Sequence, residues 1–186
     1  MQCKIGTEVS QEIGRKKYKA FYQEQEDANN KRCTTGILVD QMIANEYDAQ
    51  FLSESIDGVR RPLVICQLNI NGNLLYVATI HATANKKVSD GEIELICNDL
   101  INICSGLTAS WILMGDMNHE AAHMQTVLEN YPCSVIAPDS FTQKSGGTLD
   151  YAIVANNIVQ YINLPIEVDS VLRGSDHFAV KMRLNL

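Results

Sequence analysis

A chain of 186 residues with 46% hydrophobic side chains can bury a sizeable core as one domain, and nothing in its composition is fibrous or disordered. Its formal charge of −7 has the wrong sign for holding nucleic acid by general electrostatics, so a polyanionic substrate would have to be gripped locally. No apolar run approaches the roughly 18–20 residues that span a bilayer. The six cysteines, Cys3, Cys33, Cys66, Cys97, Cys104 and Cys133, form no Cys-x-x-Cys pair; they read as buried thiols rather than as a zinc or thioredoxin-type signature.

The opening stretch, MQCKIGTEVSQE, has no apolar segment of signal-peptide type, which favours an intracellular protein. Short apolar or β-branched runs at Tyr18–Tyr22, Gly36–Val39 and Ala49–Leu52 predict strands, with residues 23–35 as loop. Pro62–Ile70 and Leu74–His81 flank Asn71-Gly72-Asn73, and Asn-Gly between two β-rich runs predicts a hairpin because both residues tolerate positive φ. Ser89 and Glu92 have capping-box spacing, and Ile93, Ile96, Cys97, Leu100, Ile103 and Cys104 recur at helical spacing, which predicts a helix over 90–104. Beyond it come a strand at Trp111–Met114, a helix at Ala121–Asn130 stopped before Pro132, and strands at Ser134–Ala137, Tyr151–Ala155 and Val168–Leu172. Phe178, Val180, Met182, Leu184 and Leu186 alternate with polar residues as a half-buried final strand does. Many strands with few helices between them describe an α/β (α+β) layered sandwich, with 1–186 as a single domain.

Four segments put catalytic-type side chains just beyond apolar strands: Ile80-His81-Ala82, Gly115-Asp116-Met117-Asn118, Leu149-Asp150-Tyr151 and Ser175-Asp176-His177. Each alone has an ordinary reading, the histidine as a hydrogen-bonded strand end and Gly-Asp as a turn. Together they supply two imidazoles, three carboxylates and a carboxamide. That inventory suits phosphate-ester hydrolysis, because carboxylates hold a hard cation, the cation offsets phosphate charge, and imidazoles move protons near neutral pH. It does not separate a nuclease from a phosphatase.

Val77–Asn85, Trp111–Asn118, Ser145–Ala152 and Gly174–His177 resemble, in order, the signature segments of the DNase I-like (endonuclease/exonuclease/phosphatase) superfamily, and look most like the nuclease subunits of cytolethal distending toxins. The similarity extends upstream through Lys19–Tyr22, Ala28–Arg32 and Arg61–Leu63. The resemblance implies a Mg²⁺-dependent phosphodiesterase cleaving DNA, in which His81 and His177 flank the scissile phosphate and Asp150 orients His177. By the same resemblance Asp116 positions or deprotonates water, Asn118 holds a phosphate oxygen, Asp176 faces the metal, and Arg61 and Arg32 contact substrate phosphates. It further implies a secreted toxin that acts in the host nucleus with delivery subunits.

The superfamily begins with an Asn-bearing strand and a second strand ending in Gln-Glu, whose glutamate is a metal ligand. Gln11-Glu12 has the letters, but no strand is expected before it, and Ile5 through Tyr22 matches sequence lying after that glutamate. The chain is accordingly expected to be N-terminally incomplete and to bind Mg²⁺ weakly. A phosphoinositide phosphatase using the same site, favoured by the acidic charge, and a catalytically impaired interaction module are the alternative readings.

Overall fold

A computed structural model of the protein describes residues 7–26, 32–52, 56–169 and 175–185. The first three strands, β1 (Thr7–Ile13), β2 (Lys16–Glu26) and β3 (Arg32–Asp40), form an antiparallel sheet, and the short helix α1 (Gln41–Glu46) follows. Two of these segments depart from the sequence expectation. Gln11-Glu12 lies inside a strand, and residues 23–26 and 32–35 continue strands where a loop was predicted; residues 27–31 lie outside the described residues. In the first, residues 8–17 are exposed on both faces, so polar side chains mask the alternation while backbone pairing holds the hairpin; in the second, the β2–β3 ladder carries polar residues such as Gln23 and Thr35 into the strands. Glu12 sits exposed beside Lys17 in this hairpin, at 3.6 Å.

The central sheet has six strands in the order β4-β5-β6-β7-β9-β8: β4 (Gln50–Leu52), β5 (Leu63–Ile70), β6 (Asn73–His81), β7 (Ala109–Asp116), β8 (Cys133–Ile136) and β9 (Asp150–Ala155). The predicted hairpin is present, with Asn71 and Gly72 at φ of 53° and 86°, as a type I′ turn requires. Strands β6 and β7 run parallel, so helix α2 (Lys86–Cys104) makes the crossover between them. This helix begins earlier than expected, capped by Asn85, whose side chain accepts from Val88 N at 3.4 Å. Ser89 is therefore inside the helix rather than its cap, and its hydroxyl instead donates to Met117 O at 2.6 Å.

Helix α3 (Ala121–Val127) is shorter than expected, ending in turns before Pro132. After β9 a 3₁₀ segment (Asn156–Tyr161) leads into β10 (Ile162–Asp169), which pairs antiparallel with β11 (Ala179–Leu184). Of the strand expected at Val168–Leu172, Val168 and Asp169 end the longer β10, and residues 170–172 lie outside the described residues.

Strand alternation divides the core between the two faces of the central sheet. Leu63, Ile65, Tyr76, Ala78, Ile80, Trp111, Leu113, Tyr151 and Ile153 face Ile93, Ile96, Cys97 and Leu100 of α2 and Met124 of α3. On the opposite face, Val64 and Cys66 pack with Phe21 and Val39 of the first sheet, while Ile112, Ala152 and Val154 pack with Ile162, Met182 and Leu184 around β10 and β11. Burial pushes the Cys66 and Cys104 thiols up to about 11, in line with thiols that serve as packing.

Candidate active site

The same alternation aims the polar strand ends. In β6, β7 and β9, residues 80, 113 and 151 point to the helices, so His81, Asp116 and Asp150 point to the other face, toward β10 and β11. Pairing then sets them side by side: His81 is the partner of Asp116 across β6–β7, and Asp116 the partner of Asp150 across β7–β9. The close approach at this end depends on Gly115, which has φ of 148° and lies so near Ile80 O that a Cβ could not fit. His177 comes from the segment before β11, which is tied to the loop after β8: Gln143 and His177 form an isolated bridge, Phe178 N donates to Thr142 O at 2.7 Å, and Lys144 N donates to Asp176 O at 2.9 Å.

The outcome is an open cleft of about 510 Å³ lined by His81, Asp116, Asn118, Gln143, Asp150, Ser175, Asp176 and His177. Asp116 Oδ2 stands between the two imidazoles, 3.4 Å from His81 Nε2 and 3.7 Å from His177 Nε2. Both ring nitrogens are therefore within the span of one phosphate ester. Asp116 Oδ1 accepts from Asn118 N at 2.9 Å. Asn118 is held at φ of 51° and uses one side-chain N–H on Ala82 O at 2.7 Å, leaving its second for a ligand.

Asp150 Oδ2 meets His177 Nδ1 at 2.7 Å, a charge-assisted distance. Burial is the largest influence on His177 and lowers its pKa, but the hydrogen bond and charge of Asp150, with Asp116 and Asp176 nearby, outweigh it and hold the imidazole above its ordinary value. Asp150 is also held above the ordinary carboxylate value by its burial, against the pull of His177 and Thr142. The two shifts agree in one respect: the pair retains its shared proton to higher pH than an isolated imidazole would. With Nδ1–H directed at Asp150, Nε2 of the neutral ring is free to accept a proton, and Gln143 Nε2 lies 3.3 Å from it. Ser145 Oγ donates to Gln143 Oε1 at 2.6 Å and so presents the amide nitrogen to the ring.

Sequence reasoning passed over Thr142 and Gln143. Thr142 is fully buried, and its hydroxyl accepts from Leu149 N at 2.9 Å and Asp150 N at 3.0 Å, which fixes the start of β9. Both residues lie just upstream of Ser145-Gly146-Gly147, and nothing in their own pattern marks them. Arg61 lies two residues before the start of β5, near the strand end carrying His81, but is not among the residues lining the cleft. Arg32 opens β3 opposite Glu26, and its side chain lies outside the described residues.

Metal-ligating atoms of Asp116, Asp150 and His177 all lie within 4.8 Å of one another. Mg²⁺ takes a near-octahedral shell of oxygens. Here the Asp150 carboxylate is engaged by His177 and the Asp116 carboxylate by Asn118 N and two imidazoles, while Asp176 is exposed at the cleft and outside that group. The described residues alone therefore do not fit a Mg²⁺ cage, and the chemistry below runs through side chains.

No family model matches the chain. Over 80 residues it is 36% identical to a cytolethal distending toxin subunit of Escherichia coli, a match covering 38% of the chain and 29% of that relative. The match thus spans about three-tenths of the relative's length. Among solved structures, the cytolethal distending toxin of Haemophilus ducreyi superposes with a TM-score of 0.62 at 23% identity, covering 91% of this chain and 69% of that one. The endonuclease domain of TRAS1, a telomere-specific non-LTR retrotransposon, superposes with a TM-score of 0.66 at 13% identity, covering 90% and 79%. At these identities the superpositions show architecture: the chain has the DNase I-like layered fold, with its strand-end histidines and carboxylates gathered at one cleft.

Proposed function

We propose that the protein is a DNase I-like phosphodiesterase acting on DNA, similar in chemistry to the biologically active subunit of cytolethal distending toxin. The observation that carries this reading is Asp116 Oδ2 standing between His81 Nε2 and His177 Nε2, with Asp150 anchoring the far side of His177. A phosphate entering the cleft meets the two imidazoles, with Asn118 Nδ2 placed to donate to a non-bridging oxygen. Asp116 is placed to orient or deprotonate the attacking water, which adds to phosphorus as the ester bond to the leaving oxygen breaks. A protonated imidazole at His81 or His177 delivers a proton to that oxygen or to the phosphoryl oxygens. Arg61 and Arg32 extend the phosphate contact along the substrate, and Asp176 is the side chain left for a divalent cation. The cation of this proposal is Mg²⁺, bound weakly; it would add charge neutralisation at the phosphate, and none of the steps above runs through it.

The relative matched over 80 residues is a toxin subunit, so a secreted protein acting in a host cell with delivery subunits is the corresponding proposal for location and partners. Nicking of supercoiled plasmid in the presence of Mg²⁺, lost in His81→Ala and in His177→Ala, is the expected result. The net charge of −7 favours a second reading, a phosphatase acting on a small phosphorylated substrate such as an inositol lipid headgroup, for which no extended basic surface is needed. Release of inorganic phosphate from inositol lipids without plasmid nicking would select it. Absence of both activities in a well-folded preparation would leave the interaction module and overturn the enzymatic proposal.

A further inference from the structure

A second cluster of metal-type ligands lies on the helix side of the sheet. Asp90 of α2, His119 of the turn after β7 and His123 of α3 place one ligand atom each within 4.8 Å of the others. His123 Nε2 is 3.1 Å from Asp90 Oδ2, and His119 Nε2 is 3.9 Å from Asp90 Oδ1. The two imidazole rings are 4.0 Å apart at 36°, so both nitrogens converge on one carboxylate.

Without an ion this arrangement is poorly satisfied. His123 Nε2 meets Asp90 Oδ2 at hydrogen-bond distance, but His119 is 7% exposed, its Nε2 lies 3.9 Å from Asp90 Oδ1, too far for a hydrogen bond, and that buried Oδ1 has no hydrogen-bond partner. A tetrahedral ion with bonds of about 2.0–2.1 Å separates its ligand atoms by roughly 3.4 Å, and one ligand atom from each of the three residues lies within 4.8 Å of the others, so a small inward shift of the side chains reaches that spacing. Two imidazoles and one carboxylate suit Zn²⁺ or a similar transition ion and not an oxygen-seeking cation. The His123 side chain is 47% exposed, which leaves an entry path and a fourth position for water.

We propose that Asp90, His119 and His123 form a Zn²⁺ site that clamps α2 to the turn between β7 and α3. The turn so held follows Asp116, the last residue of β7, and carries Asn118 to the cleft on the other face, and Ser89 Oγ already ties α2 to it through Met117 O at 2.6 Å. The segment His119-Glu120-Ala121-Ala122-His123 spells the His-Glu-x-x-His of metalloproteases, but the geometry excludes that chemistry. His119 precedes the helix, which begins at Ala121, and Glu120 Oε2 accepts from Thr148 N at 3.2 Å. The site is structural, and its action on the cleft is positional.

The test is calorimetric titration of the chelator-treated 186-residue chain with ZnCl₂, with cobalt substitution read by visible absorption. One tight equivalent is expected, with d–d bands of tetrahedral intensity. His123→Ala, at a half-exposed position chosen to preserve folding, should weaken it at least about 100-fold, since even outer partners of a metal ligand are worth roughly 10- to 100-fold. Asp90→Asn should weaken it likewise, whereas His177→Ala in the cleft should leave it intact. Two equivalents, one lost in each of His123→Ala and His177→Ala, would also support the site. No stoichiometric binding, or binding that survives His123→Ala, would overturn it.

Discussion

Asp150 and His177 are paired at 2.7 Å in this geometry, and whether they act as one unit is the sharpest test of the cleft. Asp150→Asn removes the hydrogen bond and charge that raise His177, leaving the burial that lowers it, so the His177 pKa should fall in a ring-resolved NMR titration. The sign for stability follows. A raised imidazole pKa contributes stability that is fully present below the unfolded value and is lost as pH rises through the folded one; the raised Asp150 pKa acts in the same direction. Turnover that needs protonated His177 should fall over that same rise in pH, and the falling limb should move to lower pH in Asp150→Asn. Its magnitude should drop roughly 10²- to 10⁴-fold, the range of acid–base assistance. Adding His177→Ala to that variant should cost little more, because the two act together. Multiplicative losses in the double variant would show that they do not. Gly115 offers a test of stability at the same scale. A Cβ there meets Ile80 O at a positive φ, so Gly115→Ala should cost about 3–5 kcal/mol in denaturant unfolding, among the larger effects of single substitutions.

At the scale of elements, α2 is fixed to the cleft end of the central sheet by a buried carboxylate. Glu92 is 1% exposed and accepts from Arg60 N at 2.8 Å, Thr83 N at 2.9 Å and Thr83 Oγ1 at 2.9 Å. It thereby holds both segments that flank the β5–β6 hairpin at the cleft end. The capping-box spacing of Ser89 and Glu92 marks these two residues in the sequence, yet Ser89 bonds Met117 O and Glu92 bonds Arg60 and Thr83 and not the first turn of the helix. Glu92→Ala would strand three donors and should cost about 3–5 kcal/mol, with faster hydrogen exchange at Arg60 and Thr83 amides before the rest of the sheet. Exchange at those two amides that tracks the global transition would show that Glu92 is no local tie.

Across the whole molecule, packing on both faces of the central sheet joins the described sheets and helices through Trp111, Ile112, Val64 and their neighbours. Residues 1–186 should accordingly unfold as a single domain, with Trp111 fluorescence and far-ultraviolet circular dichroism giving coincident transitions. Two separated transitions would divide the chain instead. Mg²⁺ titrated into the same protein should bind weakly, because the cleft carboxylates are engaged by imidazoles and a backbone amide. Tight binding by calorimetry would mean that those carboxylates rearrange around the ion.

The sequence by itself determined the elements with strong local signals and pointed to most, though not all, of the residues that line the cleft. Asn71-Gly72 specifies its hairpin because both residues accept positive φ, and the apolar period of 93–104 specifies α2 because one helical face must be covered. His81, Asp116, Asn118, Asp150, Asp176 and His177 were legible because each follows or begins an apolar run, where strands end and a cleft can form. The exposed hairpin of β1 and the start of β2 was not legible, since a ribbon wet on both faces over residues 8–17 carries no alternation and is held by backbone bonds to its neighbour. Tertiary structure alone decided that Thr142 and Gln143 serve β9 and His177, and that Asp90 meets His119 and His123. Those contacts join segments far apart in the chain, and their geometry exists only once the sheet register and the α2–α3 packing are set.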